Sequence, residues 1–564
     1  MTEPLPSIVA GPPLADEPGI GALTLGGWLR EVTALYGSSE ALVLHEAGLD
    51  GVEVTIRWSY DDLWERANAV ARALIACGVG KGTRVGVLMT NRPEFLSAVF
   101  GTALAGGVAA TLSTFSTQAE LDHLLQSSAC SVLLLERTVL KKDFVETIGA
   151  LEPEIATATP GMLASLRFPF LRHIVSIGDG GGDGGGGAVE AWDAFLGRGD
   201  GVAQALVDAT AATVTPADPG VLFFSSGSTA KPKGILSAHR GPTLQLWRWK
   251  RFLQAGPDAR AWSANGFFWS GNFAMAIGGA LSSGGSLILQ AIFQPEEALA
   301  LMERERATMA FAWPHQYAQL EGAANWADVD LSSLHYVNVA LAKHPTIDTD
   351  WQEPWSAYGN TETFTISAIY DSGTPEAKAG VGHGYPLAGN VFKVVDPLTG
   401  AVVPRGERGE LAVKGATMML GYIGVPLDET LDDEGFFRTG DGGYFDVQGR
   451  LHWEGRLNDI IKTGGANVSP IEIDTVLKAL PGVKVTQTVG VPHDTLGELV
   501  VTCIVPHVGA TLDEEGVRRF AKESLASYKV PRRVLFFGEH ELELTGSAKI
   551  KTADLKALVV KRLA

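Results

Sequence analysis

From Trp58 onward the chain alternates between stretches with helical spacing of apolar residues and short runs that are apolar throughout. Leu63, Ala67, Val70, Ala71 and Leu74 recur at intervals of three and four, which marks one buried helix face. Gly78 and Gly80 end that helix, and Val85-Gly86-Val87-Leu88-Met89 follows as the kind of run a strand covered on both faces needs. Residues 94–112 repeat the sequence of helix and strand. Strands joined by helices lie parallel, because each helix carries the chain back along the sheet. The spacing therefore predicts a largely parallel α/β sheet with helices on both faces.

At 564 residues, 46% of them hydrophobic, the chain exceeds what one core supports, so two or more domains are expected. Residues 1–22, rich in proline and glycine, read as a loose arm. Between Lys393 and Tyr444 short strands and turns dominate, for example Phe392-Lys393-Val394-Val395-Asp396 and Gly409-Glu410-Leu411-Ala412-Val413, which predicts a β-rich subdomain. Gly455-Arg456-Leu457-Asn458 marks a boundary, giving a large domain over 23–455 and a small one over 456–564 with strand and helix signals of its own. The glycine-rich stretch 178–187 reads as a surface loop, without a dinucleotide fingerprint. Residues 95–119 carry no charge and match a membrane span in length. Gly106-Gly107 breaks them, however, and hydroxyl residues crowd their end, so a buried helix, turn and strand are expected.

A net charge of -19 argues against nucleic acid or an anionic membrane as the main partner, since both need a basic face. Cys77, Cys130 and Cys503 are widely spaced without a C-x-x-C pattern, and no basic stretch followed by an apolar core opens the sequence. A reducing, cytoplasmic location is expected.

One loop carries the clearest chemistry. Ser225-Ser226-Gly227-Ser228-Thr229-Ala230-Lys231-Pro232-Lys233-Gly234 follows the apolar strand Val221-Leu222-Phe223-Phe224. Hydroxyls and backbone N–H groups donate to phosphate oxygens, glycines let the backbone close on an anion, and Lys231 and Lys233 neutralise its charge. It is not a Walker loop, because Pro232 and Gly234 flank Lys233 and no helix starts there. No serine has glycine two residues away on both sides, and no His pair has the H-E-x-x-H spacing, which sets aside a serine hydrolase and a zincin.

Further stretches stand in order: Phe267-Phe268-Trp269-Ser270-Gly271-Asn272-Phe273, Tyr358-Gly359-Asn360-Thr361-Glu362, Phe437-Arg438-Thr439-Gly440-Asp441, and Leu542-Glu543-Leu544-Thr545-Gly546-Ser547-Ala548-Lys549-Ile550. With the loop at 225, this series resembles the motifs of the adenylate-forming superfamily, which includes acyl-CoA synthetases, amino-acid-activating domains and beetle luciferase. The resemblance implies a large adenylation domain of α/β subdomains plus a β-rich subdomain, followed by a small mobile α+β lid. It implies ATP, Mg²⁺ and coenzyme A as reactants alongside a small carboxylic acid. Tyr358 would lie against adenine, with Gly359 and Asn360 in the same turn. Thr361 would donate to the α-phosphate, Glu362 would hold the metal, Asp441 would accept from the ribose hydroxyls, and Arg456 would help hold the nucleotide. Lys549 would be the catalytic cation, although Glu543 and Ala548 replace the family's usual proline and glycine.

The same resemblance makes Asn458 the hinge, where Asp or Lys is common, and sets Lys462, Gly464 and Gly465 on the coenzyme A path. Phe268, Trp269, Ala340 and Leu341 would line the acid pocket. Trp269 stands where amino-acid-activating relatives carry aspartate, which disfavours an amino acid, while Phe267 and Phe273 can equally be plain core. An ATP-dependent acid:CoA ligase for a hydrophobic fatty or aromatic acid is the expected function. Transfer of the acyl group to an amine or a carrier protein, and a non-catalytic nucleotide-binding relative, stay open, as does the oligomeric state.

Overall fold

The computed structural model describes the chain except for residues 1–4, 48–52, 179–185, 226–231, 337–339, 352–355, 372–373, 376–381, 458, 460, 464–465, 494–495, 526–528, 539–540, 542–551 and 564. Its largest sheet has eight strands in the order Val189–Ala191, His173–Ile177, Val132–Glu136, Arg84–Leu88, Val108–Thr111, Pro219–Phe224, Gly234–Ala238 and Gly421–Tyr422. The first six run parallel, as the alternation predicts, and the last two are added antiparallel. Arg84–Leu88 lies between Val108–Thr111 and Val132–Glu136, so the chain leaves it first to one side and later to the other. Such a switch point opens a crevice at the carboxyl ends of the strands.

A second sheet runs Met309–Phe311, Arg260–Ser263, Ser286–Leu289, Glu40–Ala47 and Glu53–Ser59, parallel except for its last pair. Between the two sheets lies one core, in which Phe95, Phe100 and Leu74 meet Leu42 and Leu287 on one side and Val85 and Val132 on the other. The helix Tyr60–Ala76 starts at a Ser59/Asp62 capping box and buries Leu63, Ala67, Val70, Ala71 and Leu74. It approaches helix Pro93–Leu104 so closely that a Cβ on Gly101 would stand 2.7 Å from the Ala67 carbonyl oxygen. That 12-residue helix, the turn at Gly106 (φ 76°) and the buried strand Val108–Thr111 account for the uncharged stretch. At about 18 Å the helix is too short for a bilayer, and among the described residues no helix is long and apolar enough to cross one.

The β-rich part is an antiparallel sheet ordered Ile8–Ala10, Asn390–Val395, Gly409–Gly415, Phe437–Phe445 and Leu451–Arg456. Its first strand corrects the expectation of a loose N-terminal arm. Ile8–Ala10 pairs with Val391 to Lys393, and Glu17 just beyond it forms a buried ion pair with Arg248. Local composition gave no sign of these partners, which lie more than 200 residues away.

Beyond Arg456 a separate sheet forms from Ala466–Val468, Ile461–Thr463, Gly497–Pro506 and Val483–His493, with Arg533–Phe536 parallel to Gly497–Pro506. Alternation along Gly497–Pro506 sends Val500 and Ile504 into one core with the helices Pro470–Lys478 and Glu514–Ser524. Val501 and Cys503 turn to the other face, against Leu555 and Val559 of helix Thr552–Leu563.

Candidate functional site

The phosphate-type loop closes at its base. The Ser225 amide donates to the Lys233 carbonyl at 3.0 Å, and the Lys233 amide donates to Ser225 Oγ at 3.1 Å. These bonds continue the antiparallel pair Pro219–Phe224 and Gly234–Ala238, so the loop leaves at the end of a buried strand and returns as another strand. No helix starts at Lys233, in agreement with the absence of a Walker pattern. Ser226, Gly227, Ser228, Thr229 and Lys231 lie outside the described residues, as do Asn458, Gly464, Gly465 and Lys549.

Pairing of Gly234–Ala238 with Gly421–Tyr422 brings in a residue that sequence reading missed. The Tyr422 hydroxyl donates to Glu362 Oε1 at 2.6 Å, and Lys233 Nζ stands 4.9 Å from the centre of the Tyr422 ring. Tyr422 thus joins the loop to the Tyr358–Glu362 turn. Burial, and next the Glu362 charge, push its phenol up, so it stays a donor. The only hint in sequence was an aromatic residue inside the β-rich stretch, which pairing alone distinguishes from core.

The turn itself is strained and clamped. Phe364 and Thr365 both have positive φ, 47° and 78°, a conformation that costs bulky residues about 1–3 kcal/mol each. Gln245 of helix Arg240–Leu253, fully buried, holds it by donating Nε2 to the carbonyls of Phe364 (2.8 Å) and Ile366 (2.6 Å). Gly359 has no alternative, since a Cβ there would fall 1.6 Å from the Thr365 carbonyl oxygen. Asn360 Oδ1 accepts from the Thr363 amide at 2.9 Å, while its buried Nδ2 has no partner. Thr361 begins the short helix Thr361–Thr363 and is half-buried.

Asp441 lies on the strand Phe437–Phe445. The Tyr358 hydroxyl donates to its Oδ2 at 2.7 Å, and Arg456 Nε stands 3.1 Å from Oδ1, which is buried and accepts no hydrogen bond. Arg456 also donates Nη1 to the Thr439 carbonyl at 2.8 Å. Burial raises the Asp441 carboxyl above its ordinary range, with the Arg456 charge opposing. Tyr358 departs from expectation. Instead of offering an open ring face for adenine, it is buried against Phe392 and Trp453 and spends its hydroxyl on Asp441, because a buried phenol needs an acceptor. Arg456 likewise contacts the carboxylate and backbone rather than standing free. A cleft of about 690 Å³ runs over Tyr358, Gly359, Asn360, Asp441 and Arg456, with Lys478 and Lys556 on its far wall.

Among the residues expected at the acid, Phe268 is buried and packs on the half-buried Trp269, ring centres 5.4 Å apart. Gly266 makes this turn possible, as a Cβ there would lie 2.2 Å from the Phe268 ring. Phe267 and Phe273 are core, against Phe95 and Phe223. Leu341 is a correction: its side chain is buried in the cluster of Trp262, Leu331 and Leu334, where it is removed from water, and Ala340 packs against that cluster. Lys462 is exposed on Ile461–Thr463, and its amide donates to Glu498 at 2.7 Å.

The residues fit a divalent cation of the kind held by one carboxylate and substrate phosphates. Tyr422 occupies only Glu362 Oε1, and among the described residues no cluster of three or more His, Cys, Asp or Glu forms a closed cage.

Residues 26–423 match the AMP-binding enzyme family, and residues 472–549 match the AMP-binding enzyme C-terminal domain. A feruloyl-CoA synthase from Amycolatopsis sp is 30% identical over 505 residues, 88% of this chain and 93% of the relative. A 3-[(3aS,4S,7aS)-7a-methyl-1,5-dioxo-octahydro-1H-inden-4-yl]propanoyl:CoA ligase from Mycobacterium tuberculosis is 30% identical over 89% of this chain and 94% of its own. The fold is shared with the crystal structure of the anthranilate CoA ligase AuaEII in complex with anthranoyl-AMP, at a TM-score of 0.77 and 23% identity over 97% of this chain and 99% of that one.

Proposed function

The chain belongs to the AMP-binding enzyme family, and from that premise we propose that it is an AMP-forming acid:CoA ligase acting on a hydrophobic aromatic or fatty acid in the cytoplasm. The observation that carries this reading is the arrangement around one cleft, where the buried carboxylate of Asp441, whose Oδ1 faces Arg456 but accepts no hydrogen bond, lines the same wall as Tyr358, Gly359 and Asn360, the turn that leads into Thr361 and Glu362. The relatives named for aromatic and polycyclic acids support the substrate class. Three free thiols support a reducing compartment.

In this reading the loop based at Ser225 and Lys233 holds the ATP phosphates, and Asp441 Oδ1 accepts from the ribose. Glu362, held by Tyr422, would hold Mg²⁺, which neutralises charge on the phosphate oxygens. The acid's carboxylate oxygen attacks the α-phosphorus, the bond to the β,γ-pyrophosphate breaks, and Thr361 and Lys549 stabilise the charge that two anions bring together. The coenzyme A sulfur then attacks the acyl carbon of the adenylate. A C–S bond forms, the C–O bond to AMP breaks, and the thiol proton is released. Lys462, Gly464 and Gly465 border the thiol path, and Asn458 is the pivot between the two half-reactions.

Pyrophosphate release with MgATP across fatty, aryl and amino acids, with and without coenzyme A, tests the proposal. Turnover that needs both a hydrophobic acid and coenzyme A is expected. Turnover independent of coenzyme A would replace it with an amine or carrier acceptor, and silence would leave a non-catalytic nucleotide binder.

Asp441→Asn is expected to raise KM for ATP about ten- to hundredfold, the worth of a hydrogen bond to a charged acceptor. In the unsubstituted protein KM should rise as pH falls through the raised Asp441 value, where the carboxyl gains a proton and loses an acceptor. The asparagine variant should lack that rise; a rise retained in it would remove Asp441 from the nucleotide site. Stability moves the other way. The folded chain holds this proton more tightly than the unfolded one, so the group's contribution falls as pH climbs from the ordinary carboxylate range to the raised value.

A further inference from the structure

The residues 112–117 leave the strand Val108–Thr111, which pairs in parallel with Pro219–Phe224, Ala110 opposite Leu222. That loop and Ser225 therefore emerge at one edge of the sheet, the carboxyl edge at which open α/β sheets hold ligands. Within the loop Phe115 leaves 52% of its surface exposed. Its ring nevertheless meets the buried Phe268 edge-on, 5.6 Å between centres and 79° between planes, and Phe268 in turn packs on Trp269.

Both sides of this contact are held. Lys142, on the short strand Lys142–Asp143, donates Nζ to three consecutive carbonyls, those of Thr114 (3.2 Å), Phe115 (2.8 Å) and Ser116 (2.9 Å). An ammonium has three protons, and all three serve this loop. Across the contact, Asn91 accepts from the Phe267 amide at 2.8 Å and donates to the Asn265 carbonyl at 2.7 Å. An aromatic surface fixed by hydrogen bonds on each side loses little freedom when a second ring packs on it.

We propose that Phe115 and Trp269, backed by the buried Phe268 on which both pack, form the wall that receives a planar aromatic ring of the acid, and that Lys142 is a positioning residue for Phe115. This rests on the acid:CoA ligase reading above and narrows its substrate to aryl acids. Straight-chain acids lack a ring to pair with the wall and gain less from it.

Steady-state kinetics of the full chain with cinnamate and with octanoate test the assignment. Phe115→Ala is expected to raise KM for cinnamate about three- to tenfold, the worth of one aromatic pair, with a smaller change for octanoate and for ATP and little change in kcat. Phe115→Tyr should retain the preference. Lys142→Met should move KM for cinnamate in the same direction as Phe115→Ala, and Lys142→Arg should recover part of it. An equal change for both acids, a loss in kcat alone, or no change would overturn the wall. A preference of the unsubstituted protein for octanoate would do the same while leaving the ligase intact. No turnover with any acid would instead remove the ligase reading itself.

Discussion

Glu17→Ala is expected to destabilise the large domain by about 3–5 kcal/mol, the cost of removing one partner from a buried ion pair. Glu17 and Arg248 both have almost no exposed side-chain surface, at 1% and 0%. Arg248 Nε and Nη2 donate to the carboxylate at 2.8 to 3.1 Å, and Nη2 also donates to the Ala388 carbonyl at 2.7 Å. Its Nη1 is already without a partner. Alanine would leave a guanidinium uncompensated in the interior, with Arg251 the nearest other cation at 3.5 Å from the lost carboxylate. Glu17→Gln keeps the shape and one acceptor and should cost less. The midpoint of unfolding checks this: equal midpoints for the unsubstituted chain and Glu17→Ala would show that the N-terminal segment does not anchor the β-rich sheet to helix Arg240–Leu253.

Lys549→Ala is expected to slow acid-dependent pyrophosphate exchange about 10²–10³-fold, the worth of one preorganised group that meets developing charge. An acid carboxylate and the α-phosphate are both anions, and their approach is opposed further by a chain of net charge -19. A cation that bridges them acts on the adenylation transition state, where the charges are closest. It has no such task when a neutral acyl carbon meets a thiol. Thioester formation from supplied acyl-adenylate and coenzyme A should therefore change little. Equal loss in both half-reactions would assign Lys549 a structural role, and no loss in either would remove it from the mechanism.

Much of the architecture was legible because it follows from short-range periodicity. The helix marked by the spacing of Leu63 to Leu74 is Tyr60–Ala76, and the apolar runs at 85 and 221 are interior strands of the largest sheet. Trp58 itself lies in the preceding strand, Glu53–Ser59, as a helix boundary is set by the Ser59 cap rather than by hydrophobicity. The loop at 225 stands out in sequence for the same reason, its hydroxyls, glycines and lysines being contiguous, and the structure describes its base at Ser225 and Lys233. Leu341 was misplaced because an apolar residue near a motif is indistinguishable in sequence from one that faces away from it.

What the sequence determined by itself is the order of elements, the parallel sheet and the residue types, in order, that are proposed to meet phosphate, ribose and acid. Tertiary structure alone decided their partners. Tyr422 reaches Glu362 across 60 residues, Tyr358 reaches Asp441 across 83, Phe115 meets Phe268, and Glu17 meets Arg248 across 231. Each of these contacts is made by residues whose own neighbourhoods carry no mark of it. A side chain's spacing from its neighbours is written locally, whereas the carboxylate or ring it finally touches depends on which strands pair and which faces close.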